Sequence, residues 1–327
     1  MMDRRKFLLS AAALIGAQLP GGAVSAQQLE EVTFLLPAPA AQVAFAPWLL
    51  AQARGYYAQE GLKVNFEPGR GGVEVATRVG AGTAPFGGAF GDTPIIVRAN
   101  GVPVKSVAVL GGRSMTQLVV HEDSGITAPK DLRGKTITAM TYADSGYYTL
   151  LAMLAGAGLT KNDVDIQAAG PAGTWQLFAA RKADAMAGVP DWIAEVRDKG
   201  AKVRIMSAFD YTKSMAQAIL ASDDVIKKRP DLVRKLVRAT LRGLRDIMTD
   251  PKGAVKDYVA AMPTHKGREA YVEETFNLYN IYVYPGQAVL GMMDVERLAA
   301  LQKFYVQQGI AQKESPVSDL YTNEFVR

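Results

Sequence analysis

Apolar positions along the chain follow two rhythms that alternate with one another. Short apolar runs predict strands at 32–36, 63–66, 84–88 and 104–110. Between them, apolar residues at helical spacing (Phe45, Trp48, Leu49, Ala53, Tyr56) predict a helix over 43–57. A second helix, 73–79, opens at Gly71-Gly72, and a third begins after Asp92, with Pro94 in its first turn. The alternation then restarts. An extended stretch at 116–120 precedes strands at 136–140, 164–168, 185–189 and 203–207, which alternate with helices at 145–156, 173–182 and 191–199. A last extended stretch, 216–221, leads into an all-helical tail. Its strongest member spans 230–248, where Leu232, Val233, Leu236, Val237, Leu241, Leu244, Ile247 and Met248 recur with a period near 3.6 and Arg234, Lys235, Arg238, Arg242 and Arg245 fall mostly on the opposite face. Further helices are predicted at 251–262, 267–279 and 294–307. Strands alternating with helices predict an α/β fold of parallel sheets with helices on both faces. Two such units predict two lobes, with a cleft lined by loops at the carboxyl ends of the strands.

Composition narrows the chemistry. The 327 residues include no cysteine and only two histidines, His121 and His265, which removes disulfides, thiolate metal sites, thiol catalysis and histidine-rich metal centres. The first residues read as an export signal. Arg4-Arg5-Lys6 precedes an apolar run from Phe7 to Ala17, Pro20-Gly21-Gly22 interrupts it, and Val24-Ser25-Ala26 offers small residues for cleavage before Gln27. Arg4-Arg5-Lys6-Phe7-Leu8 is similar to a twin-arginine signal, with a plain secretory signal as the alternative. The apolar run is too short to span a bilayer, and without cysteine no lipid can be attached at a mature N-terminus. Removing residues 1–26 takes away three basic and one acidic residue and leaves 34 basic against 31 acidic. That near balance argues against a nucleic-acid partner. The expectation is a soluble periplasmic protein, monomeric, without a stable membrane anchor.

Five segments carry a resemblance. Ile126-Thr127-Ala128-Pro129-Lys130 followed by Asp131-Leu132-Arg133-Gly134-Lys135-Thr136-Ile137 resembles a segment of periplasmic solute-binding proteins. Tyr56-Tyr57-Ala58-Gln59-Glu60-Gly61-Leu62 is similar to their opening, and Asn100-Gly101-Val102-Pro103-Val104-Lys105 to the approach to their fourth strand. Ser145-Gly146 with Ala157-Gly158-Leu159 and Asp163-Val164 resembles their next helix, turn and strand. Arg229-Pro230-Asp231-Leu232-Val233 resembles a later helix start. In this order the segments resemble the nitrate/sulfonate/taurine-binding family, which includes thiamine-pyrimidine-binding and pyrimidine-synthase-like members. The resemblance implies a two-lobed periplasmic-binding-protein fold of type II, with parallel-sheet lobes joined by two crossover strands and the helical tail packed on lobe one. Lobe one would be 27–115 with 216–327, lobe two 116–215, and 116–120 and 216–221 the crossovers. It also implies an extracytoplasmic substrate-binding protein that closes on a small ligand and delivers it to an ABC permease with its ATPase.

Candidate ligand contacts follow from the strand ends. Helix N-termini carry partial positive charge and bind anionic oxygens, which singles out Ser145 and Gly146, flanked by Tyr142 and Tyr147, and Thr174 beside Trp175. Asp191 and Trp192 stand at the following strand end, where relatives often place a contact. Lobe one offers Trp48, Arg70, Phe90 and Asp92. Each has an ordinary structural alternative: Asp144 or Ser145 as plain helix caps, Trp48 and Trp175 as core, Arg70 as a solvated loop arginine. The mixture fits a small organic acid or zwitterion, a sulfonate or carboxylate, aromatic or not. The alternative is a flat heterocycle such as a thiamine-precursor aminopyrimidine, and nitrate needs fewer aromatics than these. A pyrimidine-synthase-like enzyme is the remote alternative, because neither histidine falls in the candidate cleft and the glycine runs at 69–72 and 87–91 match no nucleotide motif. No catalytic residue, metal or cofactor is expected.

Overall fold

The computed structural model describes residues 28–326, so the expected export signal and cleavage site lie outside the described residues. β1 (Glu30–Leu36) is followed by a 3-10 turn at Val43–Phe45, α1 (Ala46–Ala53) and α2 (Tyr56–Gln59). The helix expected over 43–57 is thus broken, because Gly55 takes φ 70°, a left-handed conformation open to glycine at no steric cost. β2 (Leu62–Pro68) leads into α3 (Gly72–Gly80), β3 (Phe86–Phe90) into α4 (Thr93–Arg98), and β4 (Val104–Val109) ends the first unit. The second unit contains β5 (Gln117–His121), β6 (Thr136–Ala139), α5 (Ser145–Gly156), β7 (Asp165–Ala168), α6 (Gly170–Ala179), β8 (Ala185–Gly188), α7 (Pro190–Asp198), β9 (Val203–Ser207) and α8 (Ala208–Thr212). After β10 (Gln217–Ser222) come α9 (Asp223–Lys228), α10 (Pro230–Thr249), α11 (Pro251–Ala261), α12 (Glu269–Tyr282), α13 (Val295–Gln307) and α14 (Val317–Leu320). Helices α8, α9 and α14 are too short to leave a periodic trace in the sequence. Among the described residues no helix is long and apolar enough to cross a membrane.

Two five-stranded sheets form, in the orders β2-β1-β3-β10-β4 and β7-β6-β8-β5-β9. Each is parallel except for one strand. β10 runs antiparallel to β3 and β4, and β5 antiparallel to β8 and β9. These are the stretches expected to be crossovers. The structure corrects that reading: both are sheet members buried at every position, and the chain crosses between lobes just before them, at 110–116 and 213–216. The two crossings are tied together. Ser114 and Ser214 share a 2.6 Å hydroxyl contact, and the Met115 N–H donates to the Met215 carbonyl at 3.1 Å. From α13, the Arg297 guanidinium donates to the carbonyls of Gly112, Lys213 and Ser214, so one cation holds both crossings.

The helical tail packs on lobe one. The apolar face of α10 is buried, and Gly243 lets it approach α1 so closely that a Cβ there would stand 2.3 Å from the Pro47 carbonyl oxygen. Its basic face is engaged within the chain: Arg238 pairs with Glu60, Arg234 with Asp231, and Arg242 lies 3.7 Å from the centre of the Tyr56 ring. Lobe one's interior includes Trp48 between Phe34 and Phe45, with ring centres 5.5 and 6.3 Å away. Lobe two has a smaller separate core around Leu118, Val120, Ile137, Leu150 and Leu154.

Candidate functional site

The two sheets turn their strand ends toward one another, and the helices that follow those strands meet tip to tip. The N-terminus of α5 in lobe two faces the N-termini of α3 and α4 in lobe one. The hydroxyls of Thr93 and Ser145 lie 2.6 Å apart and buried. The Val73 N–H donates to the Ala143 carbonyl at 3.1 Å, and the Thr141 hydroxyl reaches the Arg70 carbonyl at 3.5 Å. This approach requires glycine. A Cβ on Gly71 would stand 2.6 Å from the Ala143 carbonyl oxygen, and one on Gly72 only 2.2 Å from Ser145 Oγ. The gap among Val73, Asp92, Thr93, Ser145, Tyr148 and Tyr305 leaves no room for a water molecule, so the lobes are closed here.

Three carboxyl groups stand at the ends of these helices, and among the described residues none pairs with a basic side chain. Asp144 caps α5, accepting the Gly146 N–H at 3.0 Å. The residue keeps some solvent contact, but its carboxyl is enclosed. Burial pushes its pKa up to about 6, and hydrogen bonds from the Gly146, Gly72 and Ser145 N–H groups oppose the rise. Asp92 precedes α4 yet does not cap it. Its Oδ2 instead accepts the Tyr305 hydroxyl at 2.7 Å from α13, while Oδ1 is buried without a hydrogen-bond partner. Burial raises its pKa, against the opposing pull of that hydrogen bond and of the Arg297 charge.

Asp191 opens α7 and makes a second contact between the lobes. Its Oδ1 accepts the Tyr279 hydroxyl of α12 at 3.3 Å. Burial pushes it up to about 7, the nearby Glu195 adds to the rise, and hydrogen bonds including one from the Ala44 N–H of lobe one oppose it. The buried Tyr258 hydroxyl nearby has no partner. Around this core Arg268 holds Glu195 through two bonds of 3.0 and 2.9 Å, and Arg197 reaches Glu274 at 2.6 Å.

Of the residues singled out in the sequence, Ser145, Gly146 and Asp92 come together at the first contact and Asp191 lies in the second, beside Trp192, which is buried on the same helix. Tyr142, 55% exposed, stacks edge-on against Tyr147 at 5.2 Å, and Tyr147 against Tyr148 at 5.6 Å. These tyrosines form an aromatic ladder leading to the closed gap. Arg70 is exposed at its mouth and joins the contact through its backbone.

Trp48 and Trp175 take the core alternative, and Phe90 and Thr174 are placed otherwise than expected. Trp48 is fully buried within lobe one rather than walling a cleft, because α1 packs against α10 and α11 and the ring lies against Phe34 of β1. Phe90 is buried at the end of β3, paired with Gln217 in the sheet's interior. α6 begins at Gly170, with Pro171 in its first turn, so Thr174 is a turn inside the helix and spends its hydroxyl on the Gly170 carbonyl. Trp175 is half-buried against the core one position further on. Sequence reasoning missed Thr93, Tyr148, Tyr279 and Tyr305, which reach the site from separate helices. It also missed Thr116, whose buried hydroxyl has no partner and lies 3.5 Å from where a Cβ on Gly146 would stand. A lone threonine at the edge of an apolar strand was the available signal.

Known proteins match this chain along most of its length. The riboflavin-binding protein RibY of Chloroflexus aurantiacus is 28% identical over 323 residues, covering 97% of this chain and 91% of that protein. The 4-amino-5-hydroxymethyl-2-methylpyrimidine phosphate synthase of Aspergillus parasiticus is 27% identical over 234 residues, 67% of each chain. Among solved structures, the alkanesulfonate-binding protein SsuA of Xanthomonas axonopodis pv. citri, bound to MOPS, superposes with a TM-score of 0.71 at 20% identity over 90% of this chain and 98% of that one. The two-lobed architecture is therefore the periplasmic-binding-protein fold. The sequence pattern of the family described as NMT1/THI5 like matches residues 42–254, and the chain belongs to that family.

Proposed function

We propose that this protein is the solute-binding component of an ABC importer and that its ligand is a flat nitrogen heterocycle presenting N–H donors. The observation that carries this reading is the set of three carboxyl groups, Asp92, Asp144 and Asp191, at the helix ends where the lobes meet, with no basic partner among the described residues. Acceptors in that position favour donors on the ligand, and where they are ionised they oppose a sulfonate or carboxylate by like charge. The aromatic ladder Tyr142, Tyr147 and Tyr148 offers faces to a planar ring. The names of two relatives, one riboflavin-binding and one an aminopyrimidine phosphate synthase, point to ligands of this kind.

Binding without turnover is the reading for the histidines as well. His121 and His265 each engage a backbone carbonyl through Nε2, of Phe178 and of Ala41. Capture would work by differential contact: a ligand that touches both lobes stabilises the closed form over the open one. The closed form then docks on a membrane permease, outside the cytoplasm.

The test is a thermal-shift and calorimetric titration of the purified protein with riboflavin, the aminopyrimidine, taurine and an alkanesulfonate. At a hundredfold excess over its dissociation constant, a true ligand adds about 2.7 kcal/mol of stability. A heterocycle is expected to do so and the sulfonates are not. The reverse result would return the site to the organic-acid reading, and turnover of the aminopyrimidine would favour the enzyme.

A further inference from the structure

The place where α3 and α5 meet is built as an anion seat. Two helix N-termini of nine and twelve residues point at each other across the lobes, and glycines at 71, 72 and 146 allow the close backbone approach, the Gly71 N–H itself being spent on the Pro37 carbonyl at 2.8 Å. Such opposed ends concentrate positive potential on whatever lies between them. The buried Thr116 hydroxyl, without a partner among the described residues, stands beside Gly146 as a further donor. Yet the seat is taken: the Asp144 carboxyl accepts the Gly146 N–H at 3.0 Å and draws on the Gly72 N–H of the other lobe. On α3 itself, Glu74 accepts the Arg70 N–H at 3.1 Å, while its charge is paired with Arg78 at 3.6 Å.

We infer that Asp144 is the specificity-determining residue of the cleft, a built-in carboxylate that fills the anion seat between α3 and α5 and so excludes sulfonates, carboxylates and phosphates as ligands. This deepens the proposed function and rests on it for the identity of the preferred ligand, but not for the exclusion itself. The seat's geometry is that of an anion receptor. A single side chain turns it into a receptor for neutral, donor-bearing molecules.

The experiment removes the charge and asks for a gain. In Asp144→Asn the cap is kept, because asparagine caps helices as well as aspartate does. In Asp144→Ser the cap is kept and the space of the carboxyl is freed as well. Each variant is titrated with methanesulfonate and with inorganic sulfate by calorimetry, beside the wild type, with circular dichroism confirming the fold. Methanesulfonate is expected to bind at least one variant about tenfold or more tighter than it binds the wild type, as follows from removing a like charge at hydrogen-bond distance. Equal sulfonate affinity in the wild type and in both folded variants would overturn the inference. Wild-type protein that already binds methanesulfonate tightly would overturn it together with the proposed ligand class. A gain in the variants, with no heterocycle bound by the wild type, would leave Asp144 in this role and remove only the ligand class.

Discussion

Where α3 meets α5, the lobes touch through backbone and the smallest side chains: Gly71, Gly72, Ala143, Ser145 and Thr93. Where α7 meets α12, they touch through long side chains. There the Asp191 carboxyl takes the Tyr279 hydroxyl, and around it Arg268 grips Glu195 and Arg197 grips Glu274. Both contacts bury a carboxyl that has no basic partner among the described residues, but they do so by different means. The first has no slack, since a backbone carbonyl cannot rotate out of the way of an added atom. The second can rearrange, since its arginines are about a third exposed and their pairs are adaptable. The first contact therefore sets whether the lobes can close, and the second tunes how readily they do.

The largest effect is expected from the rigid side. In Gly71→Ala the new methyl would lie 2.6 Å from the Ala143 carbonyl oxygen, on a residue whose φ of 114° disfavours any side chain. Strain of this kind costs about 1–3 kcal/mol. Added to a blocked closure, it should weaken ligand binding on the order of a hundredfold, or about 2.7 kcal/mol. Calorimetry would read the loss while circular dichroism shows both lobes folded. Affinity within threefold of wild type would mean that the α3–α5 contact plays no part in the bound state.

The same contrast explains what could be read from the sequence. The strands and the long helices were legible because burial on one face imposes a period, and α5 begins at Ser145 and ends at Gly156 as expected. The Gly71-Gly72 pair marked a helix start, but nothing local says that Ala143 will lie against it. Tyr305 is 213 residues from Asp92, and Tyr279 is 88 from Asp191. Such partners are set by how the tail folds back on lobe one, and no spacing rule reaches them. Thr174 was misplaced for a local reason: Pro171 starts α6 three residues earlier than the glycine at 173 implies. Trp48 was ambiguous because an aromatic on a core-facing stripe and one on a cleft wall carry the same period.

An intermediate effect is expected from pH. Asp191 is raised to about 7 and Asp144 to about 6 where the lobes are closed. Opening would return each to the ordinary carboxylate value of about 4. A group with the higher pKa in the closed form takes up a proton on closing. Its contribution to closure is thus complete below about pH 4 and is lost as pH rises through about 6 to 7. The groups facing Asp191 are Glu195 on its own helix and Tyr258, Tyr271, Tyr279 and Tyr284 from lobe one, and the tyrosines stay neutral across this window because burial raises them. In the ligand-free protein the closed form should therefore lose about tenfold or more in population relative to the open form between pH 5 and pH 8, as read by small-angle scattering. Asp191→Asn keeps an acceptor for Tyr279 and should flatten most of that slope, leaving the part that belongs to Asp144. A slope unchanged in the variant would place the titration elsewhere.

The smallest effect is expected at Arg268. It is 36% exposed, while its partner Glu195 is 14% exposed, and its guanidinium also lies 4.0 Å from the centre of the Tyr271 ring. Partly solvated pairs of this kind contribute up to about 1 kcal/mol, because water and salt screen the charges and two long side chains must be ordered to form them. Arg268→Ala should therefore lower the unfolding temperature by a few degrees and weaken ligand binding by about fivefold at most. Raising the salt concentration should shrink the difference between variant and wild type, since screening already weakens the pair in the intact protein. A loss as large as that from Gly71→Ala would reverse the ranking of the two contacts. Closure would then depend on the adaptable side, with the glycine side merely following.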